Sequence, residues 1–214
     1  MTNDITGRYR MTRQNIERQS LQCHHLQLGK WPITKIMSGV NQFNPDRAGI
    51  DALVSTPIRD AGVSYWRGHK SINARSIGIE LVNPGHDFGY RPFPELQMMA
   101  LETLALDILA RHSIPPRNVV GHSDIAPTRK NDPGELFDWR SLAAKGIGMW
   151  PERAANGPCN VMDALETVGY ETLDYARALA AFQRHFRPVE IQGVSDPDTL
   201  CWLQGTVELV EKMG

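Results

Sequence analysis

The feature that most constrains the fold is a strand–helix–strand unit over residues 76–120. The run SIGIELV at residues 76–82 is β-branched and closed by the turn sequence NPG, which is typical of a buried strand that ends in a turn. Residues 94–112 have the apolar spacing of an amphipathic helix, and the valines at 119–120 form a second short strand. Because strands joined by a crossover helix normally pair in parallel, the unit predicts an α/β fold.

Two changes in composition divide the chain into three parts. Residues 1–60 have weak periodicity and predict no strand or helix, whereas residues 61–151 contain the strand–helix–strand unit. Residues 151–158 collect Pro, Gly, Asn and Ala, as linkers do. Three helical patterns follow within residues 159–212, and together they predict a small C-terminal three-helix domain.

Charge and composition exclude several classes of protein. The 214 residues carry a formal net charge of -1 and no basic stripe, so a nucleic-acid partner is not expected. No run approaches the roughly 18 apolar residues that cross a bilayer, so no transmembrane segment is expected. Three scattered cysteines do not predict a disulfide framework. A polar N-terminus without the apolar stretch of a secretory signal predicts a cytoplasmic location.

The segment GHSDIAPTRKNDPG at residues 121–134 carries the sharpest chemical pattern. His122 follows the second strand, and Asp132 comes ten residues later, after a loop that can fold back. Imidazole and carboxylate both bind zinc, and a catalytic zinc takes three protein ligands and a water. Lys130 would share a face with Asp132 in an extended segment and could stabilise an oxyanion. The alternative is a surface loop with a helix-capping Asp and a solvated Lys, and the pattern leaves both open.

Glu80 lies inside the apolar strand 76–82, where a carboxylate is costly without a partner. It is either a general base or an outward-facing side chain on a half-buried strand, and strict alternation would separate it from the isoleucines and the leucine. The loops AGVSYWRG at 61–68 and DFGYRPF at 87–93 present aromatic rings. Such rings either stack on sugars and peptides or plug the core.

Four segments between residues 61 and 151 resemble the type-2 family of N-acetylmuramoyl-L-alanine amidases. They are AGVSYWRG, SIGIELVNPGHDFGYRPFP, VVGHSDIAPTRKNDPGELFDW and GIGMWP, in the family's order. The resemblance implies a mixed central sheet flanked by helices and a Zn²⁺ cofactor. The implied reaction hydrolyses the amide between N-acetylmuramic acid, or its anhydro form, and L-alanine in peptidoglycan or muropeptides. The tail sequences YARALAAFQRHF and GVSDPDTL resemble a peptidoglycan-binding domain, which makes the periplasm or cell envelope the alternative location.

The resemblance also implies roles for particular residues. His122 and Asp132 match the family's second and third zinc ligands. Glu80 matches the acid that activates the metal-bound water, and Lys130 matches the lysine that stabilises the tetrahedral intermediate. The predicted substrate-binding residues are Trp66, Asn83 and Arg129.

The family's first zinc ligand, a histidine in a His-Tyr-Thr-like context, has no counterpart in this sequence, and the resemblance begins abruptly at Ala61. One explanation is divergence, with His25 or His24 as the substitute ligand; His25 is the predicted one. The other is an upstream segment foreign to the family, through a shifted reading frame or a truncated gene, and the abrupt edge favours it. In that case a central strand and a ligand would be missing, and the protein would be a catalytically impaired peptidoglycan- or muropeptide-binding protein.

Overall fold

The computed structural model describes residues 33–39 and 53–55 as strands and residues 63–158 and 160–213 in full. The strands are β1 (Ile33–Gly39), β2 (Leu53–Ser55), β3 (Tyr65–Trp66), β4 (His69–Lys70), β5 (Ser76–Val82) and β6 (Val119–Gly121). The helices are α1 (Glu95–Arg111), α2 (His122–Ile125), α3 (Trp139–Ala144), α4 (Val161–Val168), α5 (Tyr175–Phe186) and α6 (Pro197–Lys212). Among these helices, none is long and apolar enough to cross a membrane.

The main sheet has the strand order β2-β5-β1-β6. Strand β1 pairs in parallel with β5 on one side and β6 on the other, while β2 pairs antiparallel with β5. The predicted mixed α/β sheet is therefore confirmed, with α1 as the crossover between β5 and β6. The central strand β1 lies in the part of the chain for which the sequence predicts no strand, so the expectation that a central strand is missing is wrong.

The two faces of the sheet have different coverings. Ile79 and Leu81 of β5 pack in one apolar cluster with α1, in which Leu101 is fully buried. Val120 of β6 belongs to a second cluster, which it shares with the C-terminal helices. The strict alternation expected along β5 therefore holds, and Glu80 lies on the face opposite Ile79 and Leu81.

The three helical patterns predicted within residues 159–212, called the tail below, occur as α4, α5 and α6. Each of these helices begins at a residue whose side chain caps it. Their capping residues are Asn160, Asp174 and Asp196. The apolar cluster of these helices continues into the sheet region, because Trp66, Val120 and Ile125 are members of it. The tail therefore packs through a core that it shares with the site-bearing part of the chain.

Candidate active site

Glu80 and His122 lie at the same level, near the carboxyl ends of the parallel strands β5 and β6. Glu80 of β5 is in register with Met37 of β1, and Gly121 of β6 is in register with Ile36, the preceding residue of β1. His122 follows Gly121 directly, so it is level with Met37, and Glu80 and His122 lie on opposite sides of β1 at that residue. Two strand spacings put their Cα atoms about 10 Å apart. Ligands commonly bind at the carboxyl ends of parallel strands, which is where these residues lie.

His122 and Asp132 form a close pair. The imidazole Nδ1 lies 3.0 Å from the carboxylate Oδ2, and the two side chains are only 6% and 17% exposed. The loop between them folds back as a hairpin-like turn, because the Ser123 N–H donates to the Asp132 carbonyl oxygen at 2.9 Å. The structure thus brings the two predicted zinc ligands together at the end of β6.

The donor atoms of this pair fit a zinc ion. One nitrogen and one oxygen donor match zinc's ligand preferences, and the His122 Nε2 is buried with no hydrogen-bond partner among the described residues. Within residues 63–158 and 160–213 no group of three or more His, Cys, Asp or Glu side chains could hold a metal. Strand β1 has the sequence ITKIMSG and supplies no such residue type either. His25, the predicted third ligand, lies outside the described residues.

Lys130 and Arg129 lie on the same loop, just before Asp132. Lys130 is half-buried, and its backbone N–H donates to the Ala126 carbonyl oxygen at 3.0 Å. The exposed Arg129 donates from Nη2 to the Val63 carbonyl oxygen at 2.8 Å and so connects the loop to the segment before β3. The predicted roles of Lys130 in stabilising an oxyanion and of Arg129 in binding substrate remain predictions.

Trp66, a predicted substrate-binding residue, has a buried side chain. Its side chain is 1% exposed and meets the Tyr170 ring edge-on, with centroids 5.2 Å apart. The indole Nε1 donates to the Arg117 carbonyl oxygen at 3.3 Å. Trp66 therefore plugs the core, which is the alternative that the sequence left open for its loop.

Asn83, also a predicted substrate-binding residue, uses its amide inside its own loop. Nδ2 donates to the Arg91 carbonyl oxygen at 2.7 Å, and Oδ1 accepts from the Gly85 N–H at 3.2 Å. The side chain is buried. Asn83 therefore shapes the loop that follows β5, and no substrate contact is assigned to it.

Sequence reasoning missed Tyr90, which fixes the loop after Asp132. Its hydroxyl donates to the Pro133 carbonyl oxygen and accepts from the Leu136 N–H, both at 2.9 Å. Burial raises the pKa of Tyr90 to about 12, so the hydroxyl keeps the proton that it donates. The sequence signal was limited to an aromatic in a Gly- and Pro-rich loop, with nothing to indicate its partners.

Sequence reasoning also missed Asp124, two residues after His122. Its carboxylate is fully buried and accepts three hydrogen bonds, from Gly121 N–H at 2.6 Å, Tyr170 Oη at 2.8 Å and His185 Nδ1 at 2.7 Å. Tyr170 and His185 are 46 and 61 residues away along the chain. No local sequence pattern predicts hydrogen-bond partners at that separation.

The comparisons with known proteins agree with this geometry. The model of the Amidase_2 family, described as N-acetylmuramoyl-L-alanine amidase, matches residues 12–135, more than half of the chain. The chain belongs to the N-acetylmuramoyl-L-alanine amidase family Amidase_2. Because the match starts at residue 12, the prediction that the resemblance begins at Ala61 is wrong.

Several members of the family are similar over most of the chain. N-acetylmuramoyl-L-alanine amidase AmiD of Escherichia coli K12 is 41% identical over an alignment of 178 residues, which covers 72% of this chain and 63% of AmiD. The chain therefore spans less than two thirds of the length of this curated relative. The solved E. coli AmiD complex with anhydro-N-acetylmuramic acid-L-Ala-D-γ-Glu-L-Lys has a TM-score of 0.68 and 32% identity, covering 86% of this chain and 91% of that one. AmpDh3 of Pseudomonas aeruginosa, solved with an anhydromuramic pentapeptide, has a TM-score of 0.70 and 27% identity, covering 98% and 99%.

Proposed function

We propose that this chain hydrolyses the amide bond between N-acetylmuramic acid, or its anhydro form, and L-alanine in muropeptides or peptidoglycan. The observation that carries the proposal is the His122–Asp132 pair at the end of the sheet, level with Glu80. The complexes of AmiD and AmpDh3 with anhydromuramyl peptides support the substrate class.

We further propose that the site works with Zn²⁺, held by His122 and Asp132 together with a third protein ligand, for which His25 is the candidate. Bound zinc would lower the pKa of a water to about 7 and polarise the scissile carbonyl. The His122 Nδ1 and the Asp132 Oδ2 are already 3.0 Å apart, so these two atoms could share one cation with little rearrangement. The hydrogen bond between Ser123 and the Asp132 carbonyl holds the two donors at this spacing.

In the proposed reaction, Glu80 is the residue that moves protons during hydrolysis. It lies on the sheet face opposite the α1 cluster, at the level of His122, and its side chain is only partly buried. In the proposed reaction its carboxylate accepts a proton from the attacking water and returns one to the leaving amine of L-alanine. Lys130, half-buried two residues before Asp132, supplies an ammonium that stabilises the oxyanion as charge develops on the carbonyl oxygen.

The proposal is tested by mass spectrometry of the products formed from anhydro-N-acetylmuramyl-L-Ala-D-γ-Glu-L-Lys with zinc present. We expect anhydro-N-acetylmuramic acid and the free tripeptide L-Ala-D-γ-Glu-L-Lys as the only products. Glu80→Gln should lower kcat by about 100-fold or more, because general acid–base catalysis typically contributes that much. Glu102→Gln is the matched control, since this carboxylate on α1 pairs with Lys145, away from the site, and its loss should leave kcat unchanged.

A wild-type protein that is folded and zinc-supplemented but leaves the muropeptide intact would refute the hydrolytic function. Cleavage at any other amide would refute the substrate assignment. Binding of the muropeptide without turnover would instead support the catalytically impaired binding protein.

The C-terminal helices are proposed to contact peptidoglycan, as their sequence resemblance implies. Co-sedimentation with insoluble peptidoglycan, compared before and after competition by soluble muropeptide, tests this. The predicted cytoplasmic location, with the cell envelope as its alternative, also stays a prediction, and fractionation of the native host tests it.

A further inference from the structure

The Asp124 carboxylate occupies an unusual position for a charged group, because it is completely buried at the junction of the sheet and the tail. A buried carboxylate is costly unless its oxygens accept hydrogen bonds. Here one oxygen accepts from Tyr170 and the other accepts from both Gly121 and His185. The three donors satisfy the carboxylate, whereas the His185 Nε2 is buried with no hydrogen-bond partner among the described residues.

Two of those donors come from the tail. Tyr170 lies between α4 and α5, and His185 lies near the end of α5. Burial, and then the neighbouring Asp124, raises the pKa of Tyr170 well above its usual value, so its hydroxyl remains a donor. The His185 ring is stacked between Trp139 and Phe186, with both centroid distances 4.0 Å. The stacking fixes the direction in which its Nδ1 points.

The third donor connects the network to the site. The Gly121 N–H that Asp124 holds belongs to the residue immediately before His122. A side chain at Gly121 has no room, because a Cβ there would lie 2.9 Å from Pro133 Cδ and 3.2 Å from Asp124 Oδ2. The backbone that leads into His122 is therefore held on one side by Asp124 and on the other by the loop that carries Asp132.

We propose that the tail is a structural part of the active site, and that His185 and Tyr170 are positioning residues that hold the His122 loop through Asp124. Neither residue reaches the reacting atoms in this proposal. They fix the carboxylate, the carboxylate fixes Gly121, and Gly121 fixes the start of α2, where the His122 ring emerges. The inference rests on the proposed function for the chemistry of the site, whereas the positioning itself is measurable without turnover.

The same contacts would exist if the network only stabilised the fold, so the test needs a matched control. Gln183 supplies it, because this residue is also fully buried on α5 and makes its hydrogen bonds within the tail, to Val194, Thr199, Gln192 and Gly193. Gln183→Leu therefore removes a buried polar group of the same helix without touching Asp124. His185→Leu removes the donor to Asp124 and places an apolar side chain between Trp139 and Phe186.

The experiment measures amide hydrogen exchange at Gly121 by NMR in the full chain, with exchange rates compared at equal global stability. We expect His185→Leu and Tyr170→Phe each to speed exchange at Gly121 by about tenfold or more, since hydrogen bonds to charged groups are among the stronger ones. Gln183→Leu should leave the Gly121 rate unchanged. His185→Asn should restore slow exchange, because its amide nitrogen can donate from near the position of Nδ1.

Zinc affinity, measured by competition with a chromophoric chelator, is the second readout. His185→Leu should weaken binding by about 10–100-fold, the usual effect of losing an outer support of a metal ligand, and His185→Asn should recover it. If His185→Leu does not fold, Tyr170→Phe carries the test alone. Equal Gly121 exchange in Tyr170→Phe, His185→Leu and Gln183→Leu would overturn the positioning role. A wild-type protein without hydrolytic activity would remove the proposed function, while Gly121 exchange would still decide this inference.

Discussion

The two faces of the central sheet differ in what they bury. The face covered by α1 is mainly apolar among the described residues, with Ile79 and Leu81 packed against Leu101, although Gln97 of α1 is also buried and donates to the Val82 carbonyl oxygen. The face covered by the tail also has an apolar cluster, but buries Asp124 with its donors. The first face is therefore stabilised mainly by hydrophobic burial, whereas the second combines burial with a polar network next to the candidate site. The tail therefore packs on the site-bearing part of the chain through both an apolar cluster and a polar network.

The first prediction concerns the polar side of the comparison and has the largest expected effect. Asp124→Ala leaves the donors on Gly121, Tyr170 and His185 unpaired, so the free energy of unfolding should fall by about 3–5 kcal/mol. Urea denaturation measures the change. A loss below about 1 kcal/mol, the size of an ordinary surface change, would show that the network contributes little.

The second prediction concerns the apolar side. Leu101→Ala deletes a fully buried side chain beneath β5, so the free energy of unfolding should fall by about 2–5 kcal/mol through lost burial and a residual cavity. Under conditions where the protein remains folded, Gly121 exchange and zinc affinity should equal those of the wild type. If Leu101→Ala disturbed the site as much as Asp124→Ala did, the contrast between the two faces would not hold.

The third prediction compares two glycines, one of which lies in the loop that follows Asp132. Gly134→Ala should cost about 2–4 kcal/mol, because its φ of 93° is strained for alanine and the new Cβ would collide with the Tyr90 hydroxyl. Gly146→Ala is the matched control: its φ is 83°, but a Cβ there meets nothing within 4 Å. Only strain, about 1–2 kcal/mol, is expected in the control. Equal losses of unfolding free energy in the two variants would argue against the contact between Gly134 and Tyr90.

The fourth prediction is the smallest and concerns alkaline pH. The pKa of Tyr170 is raised in the folded protein, mainly by burial and then by Asp124, so above pH about 10 the unfolded chain loses this proton while the folded chain keeps it. The contribution is complete below the unfolded pKa and is lost as pH rises towards the folded one. Between pH 10 and 11, wild type should lose up to about 1.4 kcal/mol more unfolding free energy than Tyr170→Phe. Parallel pH profiles for the two proteins would contradict this.

Much of the fold followed from local patterns. The strand–helix–strand unit and the three tail helices have clear apolar periods, and β5, α1, β6 and α4–α6 appear where those patterns lie. Strand β1 could not be predicted from a local pattern, because its sequence ITKIMSG mixes polar and apolar residues without the pattern of a buried strand. Its position is set by pairing with β5 and β6. Pairing partners of this kind are distant in sequence and leave no local signal.

The candidate site was predictable only in part for the same reason. The residues His122 and Asp132 share one short segment, and the structure brings them together as their spacing suggested. The burial of Trp66 could not be predicted, because an aromatic residue in a loop has the same sequence pattern whether it meets a ligand or fills a core. The contacts of Asp124 join three separate regions of the chain, so they depend on tertiary packing that periodicity and spacing do not encode.

A metal centre that includes His122 and Asp132 is the central element of the proposed site, and zinc stoichiometry tests it. The protein would be stripped, reconstituted with zinc, dialysed against metal-free buffer and analysed by mass spectrometry of the metal. We predict about one zinc ion per chain in the wild type, lost in Asp132→Ala and in His25→Ala, and retained in the exposed-residue control Asp138→Ala. Folded wild-type protein that retains no zinc would contradict the account.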